Sequence, residues 1–256
     1  MNDALIGHTG FVGSTLARAR VFQSCFNSKN IGEIDGRSFD SVVCAGVSAV
    51  KWLANKEPQA DLIAIRGLMD HLATVRAAHF TLISTIDVYR DPTGVTEADI
   101  PPTDGLHPYG LHRLILERFV AERFPHATII RLPGLFGFGL RKNLIFDLLR
   151  NNQTDRISPT GMLQWYPMRR FPADLARIAA SSVPLINVAV EPLSTSLICE
   201  RFFHGIAIGG PDLPAPCYDM RTDYPEALGG SGVYHLRSDT VMDELDCFIA
   251  AERARQ

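Results

Sequence analysis

The first sixteen residues, MNDALIGHTGFVGSTL, constrain the fold of this chain more than any other stretch. Residues 4–6 form a short apolar run typical of a buried strand, and apolar residues spaced as on a helix face begin at residue 11. The glycines between this strand and this helix let the backbone come close to phosphate groups, and the start of the helix directs its N–H groups at those phosphates. The order strand, glycine turn, helix therefore predicts a site for a phosphate-bearing cofactor. The residues expected to form it are Gly7, Thr9, Gly10, Phe11, Val12 and Gly13.

Apolar runs and helical patterns alternate along the rest of the chain. Strand-like runs lie at residues 24–27, 41–46, 80–84 and 127–132, and helical periodicity lies at 58–78 and 109–124. This alternation predicts an α/β fold, a Rossmann-type doubly wound parallel sheet with helices on both faces. Beyond residue 139 the pattern loosens, with a loop or hairpin expected at 158–167. We therefore expect one domain at residues 1–139 and a smaller part at 140–256, interleaved with the last sheet strands.

Composition excludes several classes of protein. The 256 residues are 46% hydrophobic and 21% charged with a formal net charge of −3, which is ordinary for a globular protein and unlike a nucleic-acid-binding one. No apolar run is long enough to cross a bilayer and no leader precedes the first strand, so we expect a cytoplasmic protein without membrane contact. The five cysteines are scattered and the histidines lack ligand spacing, so no metal site and no disulfide framework is expected.

The candidate chemistry lies where predicted strands end, because open α/β sheets bind ligands at the carboxyl ends of their strands. Ala45 and Gly46 close one strand and Thr85 closes the next. Tyr109 precedes Arg113 by four residues, which is one helical turn. A tyrosine has a pKa of about 10 and acts as a base near neutrality only when a positive charge favours its phenolate. Thr85, Tyr109 and Arg113 are therefore the predicted catalytic set.

Four segments together resemble motifs of the extended short-chain dehydrogenase/reductase family, whose members act mostly on nucleotide-activated sugars. GHTGFVG at 7–13 is similar to its GxxGxxG turn, TIDVY at 85–89 to its (S/T)xxVY segment, and YGLHR at 109–113 to its YxxxK pair. RLPGLFG at 131–137 resembles its strand and loop beneath the nicotinamide. The resemblance, which covers residues 3–190, implies that residues 1–139 bind NAD or NADP. It adds Leu132, Pro133, Leu135, Ala45 and Gly46 to the cofactor site.

The resemblance also implies residue roles. Tyr109 corresponds to the general acid/base and Thr85 to the residue that orients the substrate oxygen. Arg113 stands where the family has a lysine that holds the ribose and lowers the tyrosine pKa. A guanidinium keeps the charge of that lysine but differs in shape and hydrogen bonding. The resemblance further implies that the helix bearing Tyr109 pairs with its twin in a homodimer.

A second departure limits the reaction type. Ile86 and Asp87 stand where the sugar-nucleotide dehydratases of this family carry an Asp-Glu pair. Isoleucine cannot donate a proton to a departing hydroxyl, so dehydration of the usual 4,6 type is disfavoured. Epimerisation and keto-reduction stay open. The short connection between the second and third strands resembles the dehydrorhamnose reductase and fucose synthase branches.

Cofactor preference and substrate contacts are predicted from loop residues. Asn27, Ser28 and Lys29 follow the second strand, where an acidic side chain would bind the ribose of NAD. No acid is present and Lys29 suits a 2′-phosphate, so NADP is favoured over NAD, with a solvated Lys29 as the alternative. The resemblance implies that Lys51 contacts a nucleotide-sugar-like substrate, because the loop after the third strand touches substrate in that family, and Asp87 is a further expected contact. Asn143 follows a glycine-rich loop and is expected to hold a nucleotide diphosphate, with a solvated charged turn as the alternative.

Two hypotheses about function follow. The first is an NAD(P)-dependent epimerase or reductase acting on a nucleotide sugar or a similar substrate, with Tyr109 exchanging the proton. The second is a catalytically silent NAD(P)-binding sensor or assembly subunit, because Arg113 replaces the usual lysine.

Overall fold

The computed structural model describes residues 2–255. Over that range the strands are β1 (Asp3–Ile6), β2 (Ser24–Phe26), β3 (Ser38–Cys44), β4 (Arg76–Thr85), β5 (Ala127–Leu132), β6 (Gly134–Phe136), β7 (Met162–Leu163), β8 (Trp165–Pro167), β9 (Leu185–Asn187) and β10 (Leu193–Ser194). The helices are α1 (Phe11–Ala19), α2 (Lys51–Lys56), α3 (Pro58–Thr74), α4 (Pro108–Arg123), α5 (Leu144–Arg150), α6 (Phe171–Ser181), α7 (Thr195–Phe202) and α8 (Ser238–Arg253).

Six strands form one parallel sheet in the order β2-β1-β3-β4-β5-β9. The chain runs from β1 outward to β2 and then crosses to β3 on the other side of β1, so the strand order reverses there. Leu5 lies opposite Cys25 on one side and opposite Val43 on the other. The predicted Rossmann-type doubly wound sheet is confirmed. Its point of reversal is where such sheets bind ligands.

The core of this sheet explains why its strands read as unbroken apolar runs. Both faces of a parallel sheet are covered by helices, so neighbouring residues of one strand are buried together. Ala4, Leu5 and Ile6 are all buried in β1. Ile65 and Leu72 of α3 join the same core, because they lie about two helical turns apart on one face.

The chain forms two compact units, each made of discontinuous segments. The first consists of the chain up to Arg90, Asp99–Leu132 and Phe171–Asn187, and it contains the parallel sheet. The second consists of Asp91–Ala98, Pro133–Arg170 and the chain from Val188 onward. The expected boundary between a domain at residues 1–139 and a smaller part at 140–256 stays a prediction.

Of the loop or hairpin expected at residues 158–167, the hairpin does not form. Strand β7 pairs antiparallel with β10, and β8 pairs parallel with β6. Gln164, between β7 and β8, donates from its side-chain amide to the carbonyls of Val190 and Met220 at 2.6 and 2.7 Å. These partners are distant in sequence, which local alternation of polar and apolar residues does not reveal.

Candidate functional site

The turn after β1 is shaped by glycine. Gly7 has a φ of +84°, and a Cβ there would overlap the carbonyl of Ala45, so the turn packs directly against the end of β3. Gly46 also lies against this turn, since a Cβ on it would be 3.8 Å from the nitrogen of Gly7. The structure thus brings Gly7, Ala45 and Gly46 together at the point where the strand order reverses.

Helix α1 begins directly after this turn, with Gly10 as its N-cap. No side chain caps the helix start, and no acidic residue lies in its first turn. The N–H groups at the start of a helix have no carbonyl partner within it. Phe11 and Val12 are half-buried and Gly13 is buried, whereas Thr9 and Gly10 are exposed. The helix start therefore offers N–H groups and a partial positive charge at an open face.

The loop after β2 is held by its own asparagines. Asn27 Oδ1 accepts from the nitrogen of Lys29, and Asn30 Oδ1 accepts from the nitrogen of Asn27, both at 2.8 Å. Ser28 and Lys29 are exposed. His8 of the glycine turn approaches this loop, with its Nδ1 3.0 Å from the carbonyl oxygen of Phe26. His8 is thus a neighbour of the predicted ribose region that sequence reasoning did not select.

Tyr109 lies in the first turn of α4. The helix starts with Pro108, and the Nδ1 of His107 accepts from the nitrogen of Gly110 at 3.0 Å. A Cβ on Gly110 would overlap the carbonyl oxygen of Asp87, so the helix and the turn after β4 are in backbone contact. This close approach is what places Tyr109 beside Thr85.

Thr85 and Asp87 form a small polar turn at the carboxyl end of β4. The Oγ1 of Thr85 accepts from the nitrogen of Asp87 at 3.2 Å and lies 3.5 Å from Asp87 Oδ2. Lys51 Nζ donates to Asp87 Oδ1 at 2.6 Å, and His107 Nε2 lies 3.9 Å from the same oxygen. The structure therefore brings together residues that were predicted from three separate segments: Lys51, Thr85 with Asp87, and Tyr109.

The protonation of Tyr109 reflects opposing influences. Burial raises the pKa of Tyr109 above its usual value of about 10 and outweighs the other effects. Arg113 and Lys51 lower this pKa, as does a hydrogen bond with Thr85, while Asp87 raises it. The cation at position 113 thus favours the phenolate as expected, but the net direction is upward.

Arg113 is buried and bound by several protein groups. Its Nη1 and Nη2 donate to the two carboxylate oxygens of Asp61 at 2.6 and 2.9 Å, and Nη2 also donates to the carbonyl of Ser48 at 2.6 Å. Its guanidinium carbon lies 3.8 Å from the centre of the Tyr109 ring. His112 Nδ1 contacts the same Asp61 carboxylate at 2.7 Å.

Asp61 supplies the negative charge that Arg113 and His112 contact. Burial alone would raise its pKa, but hydrogen bonds and charges from Arg113 and His112 outweigh burial and lower the pKa. Sequence reasoning missed Asp61. Its signal in the sequence is only that it is the acidic residue in the first turn of α3.

A second buried cluster joins α4 to the sheet. Arg131 Nη2 donates to Glu117 Oε2 at 2.6 Å, and its Nη1 donates to the hydroxyl of Tyr89 at 2.6 Å. Ser84 donates to Glu117, and Asn187 donates to Tyr89. Sequence reasoning also missed this cluster, although Glu117 lies eight residues after Tyr109 on the same helix. It ties the helix bearing Tyr109 to the strands that end at the site.

The remaining predicted residues divide between the units. Leu132 ends β5 in the first unit and is buried. Pro133, Leu135 and Asn143 belong to the second unit. Asn143 caps α5 by accepting from the nitrogen of Phe146 at 3.1 Å, and its side chain donates to the carbonyl of Leu135 at 2.8 Å. The side-chain amide of Asn143 therefore stabilises the start of α5 and links it to β6 within that unit.

The described part of the chain, residues 2–255, has neither a metal-binding cluster nor a membrane-spanning helix. In this range no group of three or more His, Cys, Asp or Glu side chains is arranged to hold a metal ion. All five cysteines are free thiols. None of the helices there has the length and apolar character that a membrane span requires.

Known structures resemble this one throughout its length. UDP-N-acetylglucosamine 4-epimerase from Methanobrevibacter ruminantium M1, in complex with UDP-N-acetylmuramic acid, has a TM-score of 0.79 and 12% identity, covering 100% of this chain and 99% of that one. An NAD-dependent NDP-hexosamine 5,6-dehydratase involved in tunicamycin biosynthesis has a TM-score of 0.75 and 17% identity, with 100% and 99% covered. The dTDP-4-dehydrorhamnose reductase from Bacillus anthracis, in complex with NADP, has a TM-score of 0.74 and 15% identity, with 97% of each covered.

Sequence comparison adds no further relative: no protein-family model matches the chain, and no curated protein matches it. At such low identities, the structural likenesses establish the fold. The resemblance to the extended short-chain dehydrogenase/reductase family is confirmed at that level: this chain has the fold of nucleotide-sugar epimerases, reductases and dehydratases.

Proposed function

We propose that this protein is an NAD(P)-dependent epimerase or reductase that acts on a nucleotide sugar or a similar substrate. The observation that carries the proposal is the close approach of the start of α4 to the turn after β4, where a Cβ on Gly110 would overlap the carbonyl oxygen of Asp87. This approach brings Tyr109 to the turn that carries Thr85, and the Thr85 hydroxyl lowers the pKa of Tyr109. Both residues lie at the carboxyl edge of the sheet whose first turn is the Gly7 turn. Two hydroxyls and an open helix start at the carboxyl edge of one sheet are the parts that proton transfer at a carbinol and dinucleotide binding require. The structural neighbours, which include enzymes named for reactions on nucleotide sugars, support this class of substrate.

A dinucleotide fits the residues of the glycine turn. A Cβ on Gly10 would meet only the carbonyl oxygen of Gly7, at 3.4 Å, which is ordinary contact. Gly10 also has a φ of −76°, which any residue adopts, so the protein's own fold does not require glycine there. The approach of a pyrophosphate to the helix start does explain a residue without a side chain. Gly7, Thr9 and the first turn of α1 would hold that group.

Catalysis in this proposal rests on proton transfer by Tyr109. A bound nicotinamide supplies the hydride donor or acceptor. Tyr109 takes the proton from a substrate hydroxyl during oxidation and returns a proton during reduction. Thr85 donates a hydrogen bond to the reacting oxygen and holds it beside the phenol. Positioned proton transfer of this kind contributes about 10²–10⁴-fold to rate.

The finer assignments belong to the same proposal. Lys29, exposed after β2, would contact a 2′-phosphate, which favours NADP over NAD. Lys51, Asp87 and Asn143 would contact the substrate. Helix α4 would pair with its twin in a homodimer, which light scattering at micromolar concentration tests through the molar mass.

The experiment is a turnover assay on purified protein with NADH or NADPH and a panel of nucleotide sugars. We expect cofactor oxidation or epimerised product with at least one sugar. Tyr109→Phe should lower kcat by about 10²–10⁴-fold while binding the dinucleotide as the wild type does. Absence of nicotinamide binding in calorimetry would refute the proposal.

A second candidate function is a silent NAD(P)-binding sensor or assembly subunit. The observation that favours it is the commitment of Arg113 to Asp61 and Ser48. Under this alternative the wild type binds dinucleotide but does not turn over, and Arg113→Lys gains activity. Wild-type turnover that Tyr109→Phe abolishes would rule the alternative out.

A further inference from the structure

The first turn of α4, which carries Tyr109, is closed by two side chains. A helix leaves its first N–H groups without a partner inside it. The N–H of Tyr109 donates to Asn55 Oδ1 at 2.9 Å. The N–H of Gly110 donates to His107 Nδ1 at 3.0 Å, and Pro108, the first residue of the helix, has no N–H to satisfy. The start of α4 is therefore capped, unlike the start of α1, which no side chain caps.

Asn55 reaches α4 from a separate element. It lies 54 positions before Tyr109, in the last turn of α2. Asn55 is exposed on α2, and asparagine is a poor helix former because its side chain competes for backbone groups. Helix propensity in α2 therefore does not explain an asparagine at this position. Its bond to the N–H of Tyr109 does explain it, because that N–H has no partner within α4.

The main chain of Tyr109 is bound at both of its polar groups. Its N–H is bound by Asn55, and its carbonyl oxygen accepts from Arg113 Nη1 at 3.0 Å. The next residue, Gly110, is in backbone contact with the turn after β4, since a Cβ on it would overlap the carbonyl oxygen of Asp87. The first turn of α4 is thus held by α2 through a side chain and lies against the turn after β4 through the main chain.

We propose that Asn55 and His107 are positioning residues for Tyr109, because their side chains fix the first turn of α4 against the turn after β4. The proposal rests on the proposed function, since it concerns the placement of the phenol that exchanges the proton with substrate. Neither side chain takes part in the proton transfer itself. A displacement of about 1 Å at a reacting group lowers the rate by about 100-fold. The bonds at the start of α4 should therefore affect kcat more than they affect dinucleotide affinity.

His107 caps the helix only in its neutral form. Its Nδ1 accepts from Gly110, whereas a protonated imidazole carries hydrogens on both nitrogens and cannot accept. The charged and titratable groups that face this ring are Lys51 from α2, Asp87 from the turn after β4, and Tyr109 and Arg113 from α4. Burial, followed by the charge of Lys51, lowers the pKa of His107 below its usual value of about 6.5, although Asp87 opposes this shift. The cap is therefore complete at neutral pH and is lost as the pH falls through the pKa of His107.

The first test compares Asn55→Ala and Asn55→Asp with the wild type in the turnover assay. Alanine removes the acceptor, so kcat should fall about 10-fold while dinucleotide affinity stays unchanged. Aspartate keeps an acceptor oxygen and places a negative charge at a helix start, where it is favoured, so it should restore kcat. Lys56→Ala, at an exposed position of the same helix, is the matched control and should behave as the wild type. A lower melting temperature of Asn55→Ala with unchanged kcat overturns the proposal, because Asn55 then serves stability alone.

The second test uses the pH profile of kcat. His107→Asn keeps a side-chain acceptor that does not titrate, since asparagine is a favoured N-cap residue. The wild type should lose kcat as the pH falls through the pKa of His107, and this loss should be absent from His107→Asn. His107→Ala, which removes the acceptor, should lower kcat about 10-fold at neutral pH as well. A pH profile that is the same in the wild type and in His107→Asn overturns the proposal for His107.

Hydrogen exchange of main-chain amides tests the cap without turnover. The N–H of Tyr109 has no partner within α4, so its exchange rate reports on the bond with Asn55. This amide should exchange faster in Asn55→Ala than in the wild type, and at the wild-type rate in Asn55→Asp. An unchanged rate in Asn55→Ala overturns the proposal, because Asn55 then does not hold Tyr109. Absence of turnover by the wild type refutes the proposed function instead, and the exchange rate of the Tyr109 amide then decides whether Asn55 holds this residue.

Discussion

Arg113 stacks on Tyr109, with its guanidinium carbon 3.8 Å from the ring centre, while both of its terminal nitrogens bond to the carboxylate of Asp61. The cation that the sequence places one turn from the phenol is therefore held by α3. Its charge still acts on the ring, but its hydrogen bonds are used within the protein. Arg113 in this arrangement positions the start of α4.

Loss of the Asp61 charge should destabilise the fold. Asp61→Asn leaves Arg113 buried without its counter-charge, and removal of one partner of a buried pair costs about 3–5 kcal/mol. We expect a decrease of this size in the free energy of unfolding, measured by urea titration. Asp70→Asn, on an exposed position of the same helix, should change stability by less than about 0.5 kcal/mol. Equal effects of the two substitutions would contradict the ion pair.

The contribution of Asp61 should disappear in acid. Its partners lower the pKa of Asp61 in the folded protein below the value of about 3.9 expected when unfolded. A lowered folded-state pKa contributes stability above the unfolded value, and this stability is lost as the pH falls through the folded value. The difference in unfolding free energy between the wild type and Asp61→Asn should therefore narrow below about pH 4. A difference that stays constant down to about pH 2 would be inconsistent with a lowered pKa.

The Thr85 hydroxyl should matter more for rate than for binding. Thr85→Val keeps the shape of the side chain but removes the hydroxyl that lowers the pKa of Tyr109 and accepts from the nitrogen of Asp87. We expect kcat to fall about 100-fold, with dinucleotide affinity within a few-fold of the wild type. Thr85→Ser retains the hydroxyl and should keep most of the activity. If Thr85→Val were as active as Thr85→Ser, the hydroxyl would have no part in the reaction.

Replacement of two helical glycines by alanine should change the stability of the fold in opposite directions. A Cβ on Gly110 would overlap the carbonyl oxygen of Asp87, so Gly110→Ala should destabilise the fold by about 1–3 kcal/mol. Gly67 lies inside α3 with nothing within 4 Å of such a Cβ, so Gly67→Ala should stabilise it by about 0.5–1 kcal/mol. Thermal unfolding of both variants checks this. A stabilised Gly110→Ala would show that α4 does not approach the turn so closely.

Gly10→Ala should weaken dinucleotide binding while leaving the stability of the fold nearly unchanged. The added Cβ meets only ordinary contact within the protein, so the unfolding free energy should change by less than about 1 kcal/mol. The same Cβ stands at the start of α1, where a pyrophosphate would lie, and should weaken dinucleotide binding at least about tenfold. Calorimetry with NADPH measures this loss, and unchanged affinity would place the dinucleotide elsewhere.

The sequence by itself determined the parallel α/β order, the glycine turn after β1 and the strand ends that carry Thr85 and Ala45. These features are local: each depends on the period of apolar residues or on a short motif, and the carboxyl ends of parallel strands share one edge of the sheet. The helix bearing Tyr109 was predicted for the same reason.

The tertiary structure alone decided which groups those residues contact. Asp61 lies 52 positions before Arg113, and Lys51 lies 36 positions before Asp87, so both pairs arise from how α3, α2 and the turn after β4 pack on α4. The cluster of Arg131, Glu117 and Tyr89 likewise joins three separate elements. Such pairings depend on strand order and on the distance between packed elements, which the periodicity of a single segment does not encode. That dependence is why the motif at 109–113 predicted a cation near Tyr109, while only the fold revealed that this cation is bound to Asp61 and that Lys51 is bound to Asp87.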